Sequence, residues 1–306
     1  MPKMLVTKGL PGCGKTEAIR AFLVKNRTYV NICKNDLRNM QFGSFANYKY
    51  TDKNEEYIKN LEIELVKSVI NTGKNIVISD TNITFHEIKL WERIAKENNY
   101  HFEVMDFFDI FVKGKDFIHP YFAVRDFVKE CKMRNLDNVR SVPETIIDIM
   151  ANEHYYKPKS IPFFHNHSIQ DCVLVDVDGT LAHMNGRFEF DLTRVSSDTP
   201  DKNVIEMIKA EKFYHNKIIV VMSGRSESCL VDTARWLEKY NIPYDYLFMR
   251  ELKDNRPDEE VKYDLYMKYI HGKFNAVRVY DDRNKVVHMW RHLLNLKVMQ
   301  VQEGYF

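Results

Sequence analysis

Residues 173–187 read VLVDVDGTLAHMNGR. A run of apolar, strand-forming residues ends in two aspartates one position apart, with Gly179 and Thr180 directly behind them. Continuous apolar runs of this kind are the mark of parallel strands buried on both faces, and open α/β sheets bind ligands at the carboxyl ends of their strands. Asp176 and Asp178 are therefore expected on the working edge of a parallel sheet. The downstream sequence supports that sheet: IIVVM (218–222), YDYLFM (244–249), AVRVYDD (276–282) and KVMQV (297–301) read as strands, separated by helical patterns such as Leu230, Ala234 and Leu237.

The chemistry suggested is transfer of a phosphoryl group. Asp176 is a candidate nucleophile on phosphorus, which would divide one difficult hydrolysis into two easier steps. Asp178 is placed to protonate the leaving oxygen and then to activate water. MSGR (222–225) ends the next strand, so Ser223 can donate to a phosphoryl oxygen and Arg225 can clamp it. VYDDR (279–283) ends another, which offers Asp281 and Asp282 as Mg²⁺ carboxylates beside Asp176. Crowded carboxylates need such a cation, because their repulsion otherwise neutralises one of them. Lys262 is a candidate charge partner for Asp176. Each piece alone is ordinary, and an isolated SGR or DD is usually a solvated turn; the order and the strand-end placement make the set specific.

A second phosphate motif stands near the start. GLPGCGKT (9–16) fits G-x-x-x-x-G-K-[ST] between a strand, MLVT (4–7), and a helix carrying Ala18, Ile19, Phe22 and Leu23 on one face. Gly9, Gly12 and Gly14 let backbone N–H groups converge on phosphate oxygens. Lys15 can reach the β- and γ-phosphates of a nucleoside triphosphate, ATP in the simplest case, and Thr16 can hold Mg²⁺. YVNI (29–32), NIVISD (75–80) and HFEVMDFF (101–108) read as further strands, and a helix is expected over 84–98. Asp80, at the end of a buried strand, is placed like the acidic residue that supports Mg²⁺ or its water. A basic stretch with Arg125, Lys129, Lys132, Arg134 and Arg140 reads as irregular. Ser141 and Glu144 have capping-box spacing for the helix that follows.

The fold class expected is thus α/β, with two doubly wound parallel-sheet domains: 1–154, a linker at 155–170 with two prolines and no periodicity, and 171–306. His154, His165 and His167 lie too loosely spaced to read as metal ligands. The balance of 45 Lys+Arg against 43 Asp+Glu gives a net charge of only +2, so a polyanionic partner would need a local basic patch. Five scattered cysteines without a CxxC pair argue for free thiols in a reducing compartment, and no apolar run suits a signal peptide or a membrane span. A cytoplasmic location is expected.

The second-half motifs resemble the haloacid-dehalogenase superfamily of phosphotransferases. The whole chain is similar to the phage polynucleotide kinase/3′-phosphatase family, through DVDGTLAHMNGR (176–187), VVMSGR (220–225), RPDEEVK (256–262) and DDRNKVVHMWR (281–291). In the first half the matching pieces are GLPGCGKT, ISDTN (78–82), LWERIAKE (90–97) and the RN…SVP run (134–143). The resemblance implies that Asp176 is the nucleophile and Asp178 the general acid–base. It implies that Arg187, Arg225, Asp258, Lys262 and Asp282 matter for phosphatase activity, that DNA or RNA ends are the substrates, and that the assembly is a homotetramer. It also accounts for two phosphate machines in one chain, since a 3′-phosphate must be removed and a 5′-hydroxyl phosphorylated before broken ends can be joined.

Two kinase positions depart from the family pattern. KNDLR (34–38) puts Asn35 where an aspartate three residues before Arg38 accepts the hydroxyl proton, with Asp36 one place late and better suited to an N-cap. RNLDN (134–138) puts Asn138 where a transition-state arginine belongs, with Arg140 close by. A lost base costs about 10² to 10⁴ in rate, and a lost arginine about 10³ to 10⁵. Little transfer is expected unless Asp36 and Arg140 substitute. Two other readings stay open: a P-loop module that only binds nucleotide or nucleic acid beside a working phosphatase, and a small-molecule kinase joined to a small-molecule phosphatase.

Overall fold

The computed structural model of the chain describes residues 1–44, 47–136, 141–186, 188 and 191–304. It divides into two compact units, Met1–Pro158 and Lys159–Phe306, with the division inside the segment expected as a linker.

In the first unit, strands β1 (Lys3–Lys8), β2 (Tyr29–Ile32), β3 (Asn75–Ile78) and β4 (His101–Asp106) form one sheet in the order β2-β3-β1-β4, all neighbours parallel. Side chains alternate across the strands, and both faces are covered. Met4, Val6, Ile76 and Ile78 pack with Val66 of helix α3 (Asp52–Ile70) and with Trp91, Ile94 and Ala95 of α4 (Phe85–Glu97), while Leu5 and Val77 pack on Ile19 of α1 (Lys15–Lys25). The remaining helices are α2 (Lys34–Phe42), α5 (Phe107–Val112), α6 (Pro120–Leu136) and α7 (Glu144–Ala151).

Several local expectations need correction. The basic stretch is not irregular up to residue 136: it lies in α6, which buries Tyr121, Phe122, Val124, Phe127, Val128, Cys131 and Asn135 and leaves Lys129 and Arg134 exposed, with Arg134 Nη1 donating to the Cys13 carbonyl at 3.4 Å. Arg140 and Asn138 lie outside the described residues. The strand expected at 101–108 stops at Asp106, whose carboxylate caps α5, so Phe107 and Phe108 are helical. The strand expected over 75–80 stops at Ile78. Asp36 is not an N-cap: α2 begins at Lys34 after Cys33, which puts Asp36 third in the helix, where its charge still suits the N-terminal dipole. Ser141 caps nothing in α7, because Pro143 is the flanking residue and no side chain bonds there.

In the second unit, β5 (Asp171–Val175), β8 (Ile218–Ser226), β9 (Tyr246–Arg250), β10 (Asn275–Arg283) and β11 (Val298–Gly304) form a parallel sheet in the order β11-β10-β5-β8-β9. A small antiparallel pair, β6 (Ala182–His183) and β7 (Thr199–Pro200), stands apart. Val173, Val175, Ile219 and Val221 pack on Ile205 and Ile208 of α8 (Lys202–Phe213) and on Trp236 and Leu237 of α9 (Leu230–Lys239). Leu174 and Val220 point to the opposite face and are equally buried. Helices α10 (Asp258–Tyr269) and α11 (Asn284–His292) complete the unit. The strand order reverses about β5, which opens a crevice at its carboxyl end.

Candidate functional site

That crevice gathers side chains from four places in the second unit. The Asp176 N–H donates to the Tyr280 carbonyl at 3.0 Å, which fixes the end of β5 against β10. One ligand oxygen from each of Asp176, Asp281 and Asp282 lies within 4.8 Å of the others, and all three residues are buried. Gly179 turns the chain beside them at φ +78°, and a Cβ there would meet Asp282 Oδ2 at 2.1 Å, so the turn admits only glycine. The Thr180 hydroxyl donates to Asp282 Oδ1 at 3.3 Å, and the Trp290 indole donates to Asp281 Oδ2 at 3.1 Å.

Lys262 enters this cluster from α10, about 1% exposed. Its Nζ lies 2.8 Å from Asp176 Oδ1, 3.1 Å from Asp281 Oδ2 and 3.5 Å from Asp258 Oδ2. Burial works against the ammonium, but the three carboxylates outweigh it and hold the Lys262 pKa well above its ordinary value. Burial drives Asp176 the other way: despite Lys262, its carboxyl is raised well above the usual range, with Asp281, Asp258 and Asp282 adding to the effect. Burial, with Asp281 beside it, pushes Asp282 up to about 6. A buried trio of hard oxygen donors with excess negative charge fits Mg²⁺, which would relieve that repulsion.

Asp178 and Arg225 form the other wall. Arg225 Nε and Nη2 donate to Asp178 Oδ2 and Oδ1, both at 2.7 Å, and Nη2 also donates to Asp198 Oδ2 at 2.7 Å. Ser223 is buried, and its Oγ accepts the Arg225 N–H at 3.2 Å. A cavity of about 340 Å³ opens here, bounded by Asp176, Asp178, Arg225, Arg250, Asp258 and Arg283 among others. Arg187 lies outside the described residues. Sequence reasoning missed Asp198, Arg250 and Arg283. Arg283 was within view as the end of VYDDR, and Arg250 follows the expected strand by one residue. Asp198 carries no motif.

In the first unit the P-loop runs from β1 into α1. Gly12 has φ +79°, and a Cβ there would meet the Cys131 carbonyl of α6 at 2.1 Å; α6 thus packs directly on the loop. Lys15 Nζ donates to the Gly9 and Leu10 carbonyls at 3.0 and 2.7 Å. Gly14 precedes α1 in a left-handed conformation, and Thr16 is exposed in its first turn. Asp80 is buried two residues past β3; its Oδ1 accepts the Lys34 N–H at 2.9 Å, and the Thr7 hydroxyl donates to its carbonyl at 2.7 Å. Arg38 is committed to Glu55 through Nε at 3.1 Å and Nη2 at 2.6 Å, and its Nη1 donates to Asn35 Oδ1 at 2.7 Å. A guanidinium only donates, so the Asn35 oxygen must face it and the amide NH₂ faces away.

Glu62 of α3 is fully buried, and neither of its carboxylate oxygens nor Asp80 Oδ2 has a hydrogen-bond partner among the described residues. Burial, then Asp80, pushes the Glu62 carboxyl from 4.5 up to about 10. The folded chain therefore retains a proton that the unfolded chain releases, and this group lowers stability as pH rises through that window. Glu62→Gln, with a permanent N–H donor, should melt higher than the parent at pH 8, the gap closing toward pH 4.5. Parallel melting curves for the two proteins across that range would discard the assignment.

Comparison with known proteins follows the same division. Residues 170–306 match the family described as polynucleotide kinase PNKP phosphatase domain, and residues 4–108 match the AAA domain family. A protein of Autographa californica nuclear polyhedrosis virus, named as a bifunctional polynucleotide kinase/RNA ligase, is 31% identical over 320 residues; the alignment covers 99% of this chain and 43% of that relative's length. Two chains from structures of the Pnkp1/Rnl/Hen1 complex, one described as an RNA repair complex, are each 28% identical. Each alignment covers 100% of this chain, and 97% and 98% of theirs, with TM-scores of 0.47.

Proposed function

We propose, from the match of residues 170–306 to the polynucleotide kinase phosphatase-domain family and of residues 4–108 to the AAA-domain family, that the chain is a polynucleotide end-healing enzyme. Its second unit removes a 3′-phosphate from a DNA or RNA end. Its first unit binds ATP and presents it to a 5′-hydroxyl.

One observation carries the phosphatase reading: Asp176, Asp281 and Asp282 converge within 4.8 Å, with Lys262 on Asp176 and the Asp178–Arg225 pair across the same cavity. The Asp176 carboxylate attacks phosphorus and forms an aspartyl-phosphate, while Asp178 delivers a proton to the departing 3′-oxygen. Asp178 then takes a proton from water, which attacks the phosphorus and releases inorganic phosphate. Lys262, 2.8 Å from Asp176 Oδ1, favours the ionised form that attacks and offsets part of the effect of burial. Mg²⁺, which Asp176, Asp281 and Asp282 would hold, supplies charge neutralisation for the phosphoryl oxygens. Among the described residues the cavity wall carries five cations, Arg225, Arg250, Lys253, Arg256 and Arg283, against five carboxylates, and Mg²⁺ on the trio would tip that balance toward an anionic polynucleotide end.

In the first unit, Gly9, Gly12, Gly14 and Lys15 would receive the triphosphate, exchanging the loop carbonyls now bonded to Lys15 for phosphate oxygens. Thr16 and Asp80 would hold its Mg²⁺. A second reading, that this unit mainly binds nucleotide and strand ends, draws support from Asn35, whose outward group is a donor and no base. Asp36 stands one residue on, about 100° around the helix, so it replaces the missing carboxylate poorly. The test runs labelled-ATP transfer and 3′-phosphate release on one preparation. Release should be robust and transfer weak, and the double change Asn35→Asp with Asn138→Arg should raise transfer by at least about 10²-fold. No gain would discard the two asparagines as its cause; absent release would discard the phosphatase reading.

A further inference from the structure

The loop between β9 and α10 holds one residue in a conformation that its type disfavours. The Asp254 N–H donates to the Glu251 carbonyl at 3.3 Å, which closes a turn over 251–254. Lys253 is the third residue of that turn, at φ +66°. Such a position prefers glycine or asparagine, because a Cβ crowds the backbone there. Among the described residues, every other non-glycine residue with positive φ is an asparagine. The loop is held firmly. Arg250 donates from Nε to the Gly224 carbonyl at 2.7 Å, and from Nη1 to the Asp254 and Arg256 carbonyls at 3.2 and 2.6 Å, so its guanidinium staples the turn to the end of β8.

Charge pairing sets the same residue apart. Of the cations on the cavity wall, Arg225 meets Asp178, Arg250 and Arg283 meet Asp258, and Arg256 meets Asp254 and Asp264. The carboxylates of the wall are matched too: Asp176 and Asp258 by Lys262, Glu251 by Lys268. Lys253 is exposed, lines the cavity and makes no ion pair among the described residues. A lysine thus stands where the backbone favours glycine, and its charge is left over. Local rules of this kind are broken most often where function requires it.

We propose that Lys253 is a specificity-determining residue: its ammonium holds the internucleotide phosphate that precedes the 3′-phosphorylated nucleotide, and so favours a strand end over a free mononucleotide. This rests on the phosphatase reading and deepens it. The reacting phosphate is bound by groups that any 3′-phosphate monoester would satisfy. A strand differs from a mononucleotide in the next anion along the chain, and an unpaired cation at the cavity wall is what can read it. An ammonium suits this task, because it meets a phosphodiester as a point charge and demands no fixed fork geometry. The stapled turn keeps that charge from folding back onto Glu251 or Asp254, which have partners of their own.

Phosphate release by the full chain, with Mg²⁺ and without ATP, is measured on three substrates. They are a 3′-phosphorylated mononucleoside, a dinucleotide ending in a 3′-phosphate, and the same dinucleotide with a neutral methylphosphonate link. For the parent, the charged dinucleotide should exceed both others in kcat/KM by about fivefold or more, mainly through KM. Lys253→Gly removes the cation and suits the backbone, so the turn is kept. It should erase most of that preference, and Lys253→Arg should retain it. On longer strands, the slope of log kcat/KM against log salt should flatten by about 0.7 in Lys253→Gly. A purely conformational role would leave the ratios among the three substrates unchanged in that variant, and this result overturns the assignment. So does a parent indifferent to the charge of the link, an outcome that needs no variant and leaves the phosphatase reading standing. A parent that releases phosphate from none of the three sinks the phosphatase reading and the contact together.

Discussion

Asp176→Asn should lower 3′-phosphate release from an oligonucleotide by about 10⁴-fold or more, the scale of losing a covalent nucleophile. The amide has nearly the shape of the carboxylate and keeps an oxygen for Lys262, which retains Asp258 and Asp281 as charge partners. The unit should therefore fold. Nucleotide binding by the first unit should be unchanged, because that unit has its own sheet and cores. Release of phosphate, timed on a 3′-phosphorylated strand beside ATP binding on the same sample, gives both readouts. Release at the parent rate would strip Asp176 of its role. A fall in release together with lost ATP binding would point to general damage.

The residues of this site were legible in the sequence for a physical reason. Asp176, Ser223 to Arg225 and Asp281 to Asp282 each end an apolar run, and in a parallel sheet all such ends lie on one side. The spatial order of the strands was not legible, since nothing in the runs says that β5 sits between β10 and β8. Helix α6 escaped because its buried residues come in a cluster, Tyr121 to Val124, that blurs the 3.6-residue period. Glu62 and Asp198 escaped for a different reason. A buried carboxylate is explained only by its partner, and theirs are Asp80 and Lys34 in one case and Arg225 in the other, distant in the chain. The Asn35 departure was visible, but the direction of its amide was not; that required Arg38 and Glu55, 17 residues apart, to be seen in contact.

Lys262→Met should cost about 3 to 5 kcal/mol of stability in the second unit, the scale for stripping one partner from a buried ion cluster. The thioether fills most of the lysine's volume, so packing is largely kept and the loss is electrostatic. Asp176, Asp258, Asp281 and Asp282 would then share a buried space in which, among the described residues, Arg250 and Arg283 reach Asp258. For a unit of this size the loss lowers its melting temperature by roughly 10 °C. The pH dependence follows from the carboxylates. The folded pKa values of Asp176 and Asp282, already raised in the parent and about 6 for Asp282, rise further without the ammonium, so the folded variant binds protons that the unfolded chain releases. Stability then falls as pH rises from the unfolded value near 3.8 through the raised folded values. The deficit relative to the parent should be largest at pH 7 to 8 and shrink toward pH 4. Adding Mg²⁺ at pH 7.5 should recover part of it, since a divalent cation on Asp176, Asp281 and Asp282 replaces the lost charge. Calorimetry of parent and variant across pH, with and without Mg²⁺, decides the matter. A loss indifferent to pH and to Mg²⁺ would mean that Lys262 serves packing alone, and the carboxylate trio would no longer be credible as a cation site.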